Sequence, residues 1–166
     1  MTAIQDLVDR NTARSGTGPG PLPGRPSLRV AVVACMDARI DPAQLLGLKS
    51  GEAHVIRNAG GVVTDDVIRS LAVSQRKLGT TEVMLVHHTK CGMATFTDED
   101  FCSELQEATG LRPTWVVETF RDIESNVRQS VERVRRSPFL GDTTAVRGFV
   151  VDVDTGDLAE VLPPQP

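Results

Sequence analysis

Tyrosine is absent from this chain, and tryptophan occurs once, at position 115. Aromatic stacking on nucleobases therefore lacks its usual material. Excess positive charge is missing as well. The formal net charge is -4 over 166 residues, so the chain carries no basic footprint for nucleic acid. No run of eighteen apolar residues occurs, which excludes a membrane-spanning helix from the pattern. The first fifteen residues have no apolar segment behind a basic start, so they do not read as a secretory signal. The expected location is the cytoplasm. Cysteine is scarce, with three residues and no C-x-x-C pair. In a reducing compartment that argues against a disulfide framework or a dithiol redox motif, and toward metal binding, catalysis or burial.

What is present suits one globular unit with a sizeable core: 40% hydrophobic and 24% charged residues. Two segments are expected, 1–27 and 28–166. In the first, Ile4, Leu7 and Val8 share one face of a short helix over 3–13. Gly16 to Pro26 then holds four glycines and four prolines in eleven residues, a composition that forbids a regular element and reads as an extended arm. The arm either is a mobile linker or lays the first helix on a partner subunit.

In the second segment, the apolar run Leu28 to Ala34 reads as a strand buried on both faces, as in a parallel sheet. Asp41-Pro42 starts a short helix. Strands follow over Ala53 to Arg57 and Glu82 to Val86, the latter running out into His87 and His88. Between them, a helix is capped by Thr64 and closed by Gly79. A helix is expected over Asp98 to Ala108. Val116, Phe120, Ile123, Val127, Val131 and Val134 then predict one long amphipathic helix ending at Ser137-Pro138. Arg133, Arg135 and Arg136 read as its solvated, dipole-complementing end. Val146 to Val153 is a fourth strand, and Leu158 to Val161 returns antiparallel at an edge. The fold class is α/β: about four parallel strands plus an antiparallel edge strand, flanked by helices.

In such sheets, sites form beyond the carboxyl ends of strands. Cys35 and His88 end the first and third strands. If those strands are neighbours, their ends lie about 4.8 Å apart. Cys35, His88 and Cys91 then offer two sulfurs and one nitrogen, a donor set that zinc favours, with one position left for water. Buried cysteine and a satisfied strand-end histidine are the plain alternatives. The H-x-x-C spacing and the carboxylate at Asp37 favour the metal. Gly92 is expected to permit a tight turn beside the ion. Asn58, Ala59, Gly60 and Gly61 follow a strand but lack a nucleotide-binding glycine pattern, so they are expected to wall the metal pocket. His87 points to the opposite face and reads as structural, with proton transfer as the lesser alternative; His54 reads as packing. Cys102 has no partner at metal spacing and reads as a helix-face thiol.

Cys35-x-Asp37-x-Arg39, then Arg57-Asn58-Ala59-Gly60, then His88-x-x-Cys91-Gly92, resembles the β-class carbonic anhydrases, in particular their short bacterial branch. The resemblance runs from about Leu28 to Val153. It implies that Cys35, His88 and Cys91 bind zinc, and that Asp37 and Arg39 form a catalytic dyad. It implies hydration of CO₂ to bicarbonate by a zinc-bound hydroxide, formed from a bound water whose pKa falls to about 7 in favourable sites. It also implies a homodimer, or a dimer of dimers, with active sites near the subunit interface. The resemblance further implies a resting form in which Asp37 itself takes the fourth position on the ion. Lys90 departs from the small or acidic residue of many relatives and is expected to put a cation near the ion. Two rival functions stay open at this point: hydrolysis of carbonyl sulfide or carbon disulfide on the same scaffold, and a non-catalytic zinc-binding interaction domain.

Overall fold

The computed structural model describes residues 2–141 and 145–163. Five strands form one sheet: β1 (Val30–Cys35), β2 (Ala53–Asn58), β3 (Glu82–His88), β4 (Val146–Val151) and β5 (Leu158–Glu160). Their order is β2-β1-β3-β4-β5. The first four are mutually parallel, and β5 pairs antiparallel to β4. β1 and β3 are therefore neighbours, in register from Val30 opposite Glu82 to Ala34 opposite Val86. That adjacency brings the two halves of the sequence motif together.

The helices are α1 (Ala3–Ala13), α2 (Pro42–Leu46), α3 (Asp65–Leu78), α4 (Asp98–Thr109) and α5 (Ile123–Arg136). Local chemistry sets their ends. Asp41 Oδ1 accepts from Ala43 N at 3.0 Å, and Pro42 takes the first helical position of α2. Thr64 caps α3, and Gly79 closes it in the left-handed conformation. Thr97 and Asp100 form a reciprocal capping box at the start of α4.

Alternate residues of the central strands feed two cores, as a period of two requires. Ala31, Val33, Val83 and Leu85 meet Val67 and Leu71 of α3 and Val127, Val131 and Val134 of α5. Val32, Ala34 and Val86 belong to the second core, with Ile40, Val62, Met93, Phe120 and both Cys35 and Cys91. Two of the three metal-ligand candidates thus belong to the second core.

One expected element is shorter than its periodicity predicts. The long helix from Val116 begins only at Ile123. Asp122 is its N-cap, accepting from Ser125 N at 2.7 Å. Upstream, the backbone N–H groups of Glu118 and Thr119 donate to the Asp98 carboxylate. The N–H of Phe120 donates to Met93 O at 3.3 Å. Glu118 has φ 65°, outside helical geometry. Side-chain and tertiary acceptors have won these amides from the helix. Val116 and Phe120 keep an apolar spacing because Phe120 packs in the second core, not because the segment is helical.

α1 is capped by Thr2 but has no buried residue. Ile4, Leu7 and Val8 are all exposed. The arm docks at its far end: Ser27 N donates to Gly51 O and Leu28 N to Glu52 O. His54 on β2 ties Ser74 of α3 at 2.7 Å and Gly24 O at 3.3 Å, a packing role. Among the described residues, no helix is long and apolar enough to cross a membrane. Met1 and residues 164–166, the outer ends of the two expected segments, lie outside the described residues.

Candidate metal centre

Cys35 is the last residue of β1 and His88 the last of β3. Cys91 follows a turn in which Lys90, at φ 56°, takes the left-handed conformation. Gly92 has an ordinary backbone there and open space where a Cβ would stand. The turn beside the cluster therefore depends on Lys90, not on Gly92 as the sequence suggested.

The donor atoms of Cys35, His88 and Cys91 all lie within 4.8 Å of one another, and all three residues are buried. The two sulfurs are 4.0 Å apart. Two Zn–S bonds of about 2.3 Å at a tetrahedral angle span roughly 3.8 Å, so the spacing fits. The imidazole fits as well. His88 Nδ1 lies 2.9 Å from Thr89 O. A carbonyl can only accept, so Nδ1 carries the proton and Nε2 of the neutral ring offers its lone pair. That Nε2 is buried and has no hydrogen-bond partner among the described residues. A buried acceptor left unpaired is costly unless something electrophilic faces it.

Electrostatics point the same way. A hydrogen bond from Cys91 holds the Cys35 thiol far below its ordinary value; burial opposes this, and contact with His88 supports it. The contact with Cys35, together with burial, pushes the Cys91 thiol far up. The pair thus shares one proton, and a divalent cation between the sulfurs would favour both thiolates. Burial lowers His88, but the contact with Cys35, the Cys35 charge, the Thr89 carbonyl and Asp37 outweigh that and raise it.

Asp37 stands beside this cluster, with Oδ2 3.8 Å from His88 Nε2. Arg39 grips it with a planar fork: Nε to Oδ1 at 2.9 Å and Nη2 to Oδ2 at 2.7 Å. The Arg39 N–H adds a third bond to Oδ1 at 3.0 Å. These bonds hold the carboxyl well below the usual carboxylate range. Arg39 Nη2 also donates to Lys90 O at 3.1 Å, joining the dyad to the ligand loop. Lys90 Nζ is paired with Asp154 in the turn between β4 and β5. The cation expected near the ion is therefore neutralised by an acid that sequence reading did not connect to it.

A cleft of about 480 Å³ opens on the cluster, lined by Cys35, Asp37, Ala59, Gly60, Cys91 and Gly92. Met36, Met93, Phe96, Phe101, Trp115 and Val117 complete it. Asn58 does not line this cleft. Its Nδ2 donates to Val62 O at 2.8 Å, bracing the turn from behind. His87 is fully buried on the other face of β3 and bonds Asn126 Oδ1 of α5 at 2.7 Å. Cys102 is buried and free on α4. Arg133 is not merely solvated: it bridges Glu118 at 2.7 Å and Asp65 at 3.0 Å. Arg135 Nη2 likewise bonds Val146 O at 3.1 Å.

The sequence alone assigns Arg57 no role of its own. It is the last residue but one of β2, opposite Ala34 in register. Its Nε donates to Cys35 O at 2.9 Å and its Nη2 to Asp37 O at 2.8 Å. The signal available was its place at the head of the R-N-A-G string, but only the sheet order shows what it reaches.

The family model "Carbonic anhydrase" matches residues 30–121. "Beta-carbonic anhydrase 1" of Mycobacterium tuberculosis is 56% identical over 163 residues, covering 98% of this chain and all of that protein. A "Carbon disulfide hydrolase" of Acidithiobacillus thiooxidans is 30% identical over 151 residues, covering 78% of this chain and 75% of that protein. Among solved structures, the carbonic anhydrase of Streptococcus mutans superposes with a TM-score of 0.91 at 41% identity, covering 98% of this chain and 99% of that one.

Proposed function

The chain belongs to the β-carbonic anhydrase family, and from that premise we propose that it is a zinc lyase converting CO₂ and water reversibly to bicarbonate and a proton. The observation that carries this reading is the convergence of three buried soft donors beside a carboxylate already gripped by an arginine. Cys35 Sγ, Cys91 Sγ and His88 Nε2 would hold the zinc. When bound, zinc supplies Lewis acidity that lowers the pKa of water to about 7 and so makes a nucleophile at neutral pH.

The residues do the rest. Arg39 keeps Asp37 ionised, so the carboxylate can only accept hydrogen bonds. Asp37 accepts one from the attacking oxygen and turns a lone pair toward the carbon of CO₂. Met93, Ala59 and Gly60 give an apolar wall that suits a non-polar, linear substrate and keeps bulk water from its carbon. Gly92, with no side chain, leaves the cleft unobstructed where it lines it. Asn58 acts one step back, by fixing the turn that carries Ala59 and Gly60.

Asp37→Ala tests the assignment: zinc content should stay at one per chain while CO₂ hydration falls by two orders of magnitude or more, about the span general acid–base groups contribute. Undiminished turnover would refute it. A linear molecule with sulfur in place of oxygen would meet the same nucleophile, and carbon disulfide hydrolases are among the relatives. The much higher identity to a β-carbonic anhydrase favours CO₂.

The segment 28–166 would be the catalytic unit, and the chain would work in the cytoplasm as a homodimer or a dimer of dimers. Support for assembly is the bare apolar face of α1, the exposed Met36 and Trp115 of the cleft lining, and the exposed Val116 next in sequence. Surfaces of that kind are usually covered by a partner. The measurement is the mass in solution of the full chain against a variant lacking residues 1–15.

A further inference from the structure

The Cys35-Met36-Asp37 turn carries one metal-ligand candidate and the dyad carboxylate two residues apart, and its shape decides where both point. β1 ends at Cys35. Beyond it the backbone leaves the sheet. The Asp37 carbonyl accepts from Ile40 N at 3.0 Å, which closes the next turn but does not tie it to the strands. A Cys35 carbonyl left without a partner there would be costly. Three bonds from the β2 end hold the Cys35-Met36-Asp37 turn. The Met36 N–H donates to Asn58 O at 2.8 Å. Arg57 Nε takes Cys35 O at 2.9 Å, and Arg57 Nη2 takes Asp37 O at 2.8 Å. One rigid guanidinium thus spans both carbonyls, and its planar fork fixes their separation. Both bonds are charge-assisted, hence about twice as strong as neutral ones.

We propose that Arg57 is a positioning residue: it locks the backbone of Cys35 and Asp37 so that the thiolate and the carboxylate converge on one point. Arg57 does not line the cleft, so it acts through these two residues. Arg39 and Arg57 divide the labour. Arg39 holds the Asp37 side chain; Arg57 holds its main chain. With the backbone pinned, any exchange of the carboxylate between Arg39 and the metal is confined to side-chain rotation. This inference rests on the proposed zinc chemistry.

The test compares the zinc-loaded wild type with Arg57→Met, which keeps the stem and removes the donors, and with Arg57→Lys, which restores one donor. Zinc affinity is read by chelator competition, and ligand geometry by the absorption spectrum of the cobalt-substituted protein. CO₂ hydration is measured in the wild-type and Asp37→Ala backgrounds. Arg57→Met should weaken zinc binding and turnover each by about 10- to 100-fold, the span typical of residues that support metal ligands. It should also change the cobalt spectrum, and Arg57→Lys should recover part of each loss. In the Asp37→Ala background the further loss of turnover should shrink to a few-fold, because part of the effect runs through Asp37. Should Arg57→Met fail to fold, Arg57→Lys decides alone, with an intermediate affinity and spectrum expected. An unchanged cobalt spectrum and zinc affinity in the folded variants would overturn the proposal. So would equal losses of turnover in both backgrounds. If Asp37→Ala itself keeps full turnover, the catalytic reading fails instead, and the zinc affinity and cobalt spectrum still judge Arg57.

Discussion

Gly61→Ala is the substitution that ties the sheet most directly to the site. Gly61 has φ +69°, and a Cβ there would stand 2.8 Å from Cys35 N, 3.0 Å from Ala34 C and 3.1 Å from Val86 O. All three are backbone atoms of β1 and β3, so no side chain can swing aside. The left-handed conformation costs an alanine about 1–2 kcal/mol. Overpacking against a fixed wall costs roughly another 1–3 kcal/mol. Together these give about 3 kcal/mol, or a fall in melting temperature of roughly 6–12 °C for a chain of this length. Relief of the clash moves Cys35 N, so a ligand-bearing residue shifts with it. The zinc-dependent part of the stability should shrink too, because that part scales with metal affinity. The assay is thermal unfolding with zinc and with chelator. Gly92→Ala is the control: it has open space and an ordinary backbone, and should melt within about 0.5 kcal/mol of wild type. If Gly61→Ala matches the wild type in both melts, close packing of this turn does not hold the site.

Cys35→Ser and His88→Ala should each abolish stoichiometric zinc, measured by elemental analysis, while Cys102→Ser keeps it. Asn126→Ala should cost about 1–3 kcal/mol in denaturant unfolding, since His87 Nδ1 already has no hydrogen-bond partner among the described residues and Nε2 would lose its own. Asp98 links the pocket loop to α4. Burial raises its carboxyl, but bonds from Thr119 and from the backbone of Glu118 and Val117 outweigh burial and hold it below the ordinary range. A depressed folded value means that the stabilisation is present above the unfolded value near ~3.9 and is lost as pH falls through the folded one. Asp98→Asn should therefore destabilise at pH 7 and lose that difference in acid, as unfolding at the two pH values will check.

Much of this architecture could be read from residues because local signals agreed with tertiary ones. Asp41-Pro42, Thr64 and Gly79 mark helix ends chemically, and the structure uses each of them so. The valine-rich run ending at Cys35 and the strand ending at His88 place both donors at the same edge of the sheet. The stretch from Val116 to Asp122 misled because apolar spacing cannot tell a helix from a loop whose Phe120 fills a core. What decided it was Asp98, some twenty residues away, capturing the amides. The same blindness to long-range partners hid the Lys90–Asp154 pair, the Arg133 bridges and Arg57. A side chain reaching across neighbouring strands leaves no periodicity in the sequence. The sequence points to Gly92 for a turn that Lys90 makes, since a left-handed lysine is uncommon and glycine is the default expectation.

The most direct trial of the central claim is stopped-flow CO₂ hydration by the purified chain across pH, with zinc counted per chain in the same sample and carbonyl sulfide turnover alongside. One zinc per chain, CO₂ hydration rising with pH as one group ionises, loss on chelation and recovery on adding zinc is the predicted result. A chain loaded with one zinc that leaves CO₂ untouched, or one that hydrates CO₂ at full rate after zinc is stripped, would contradict it.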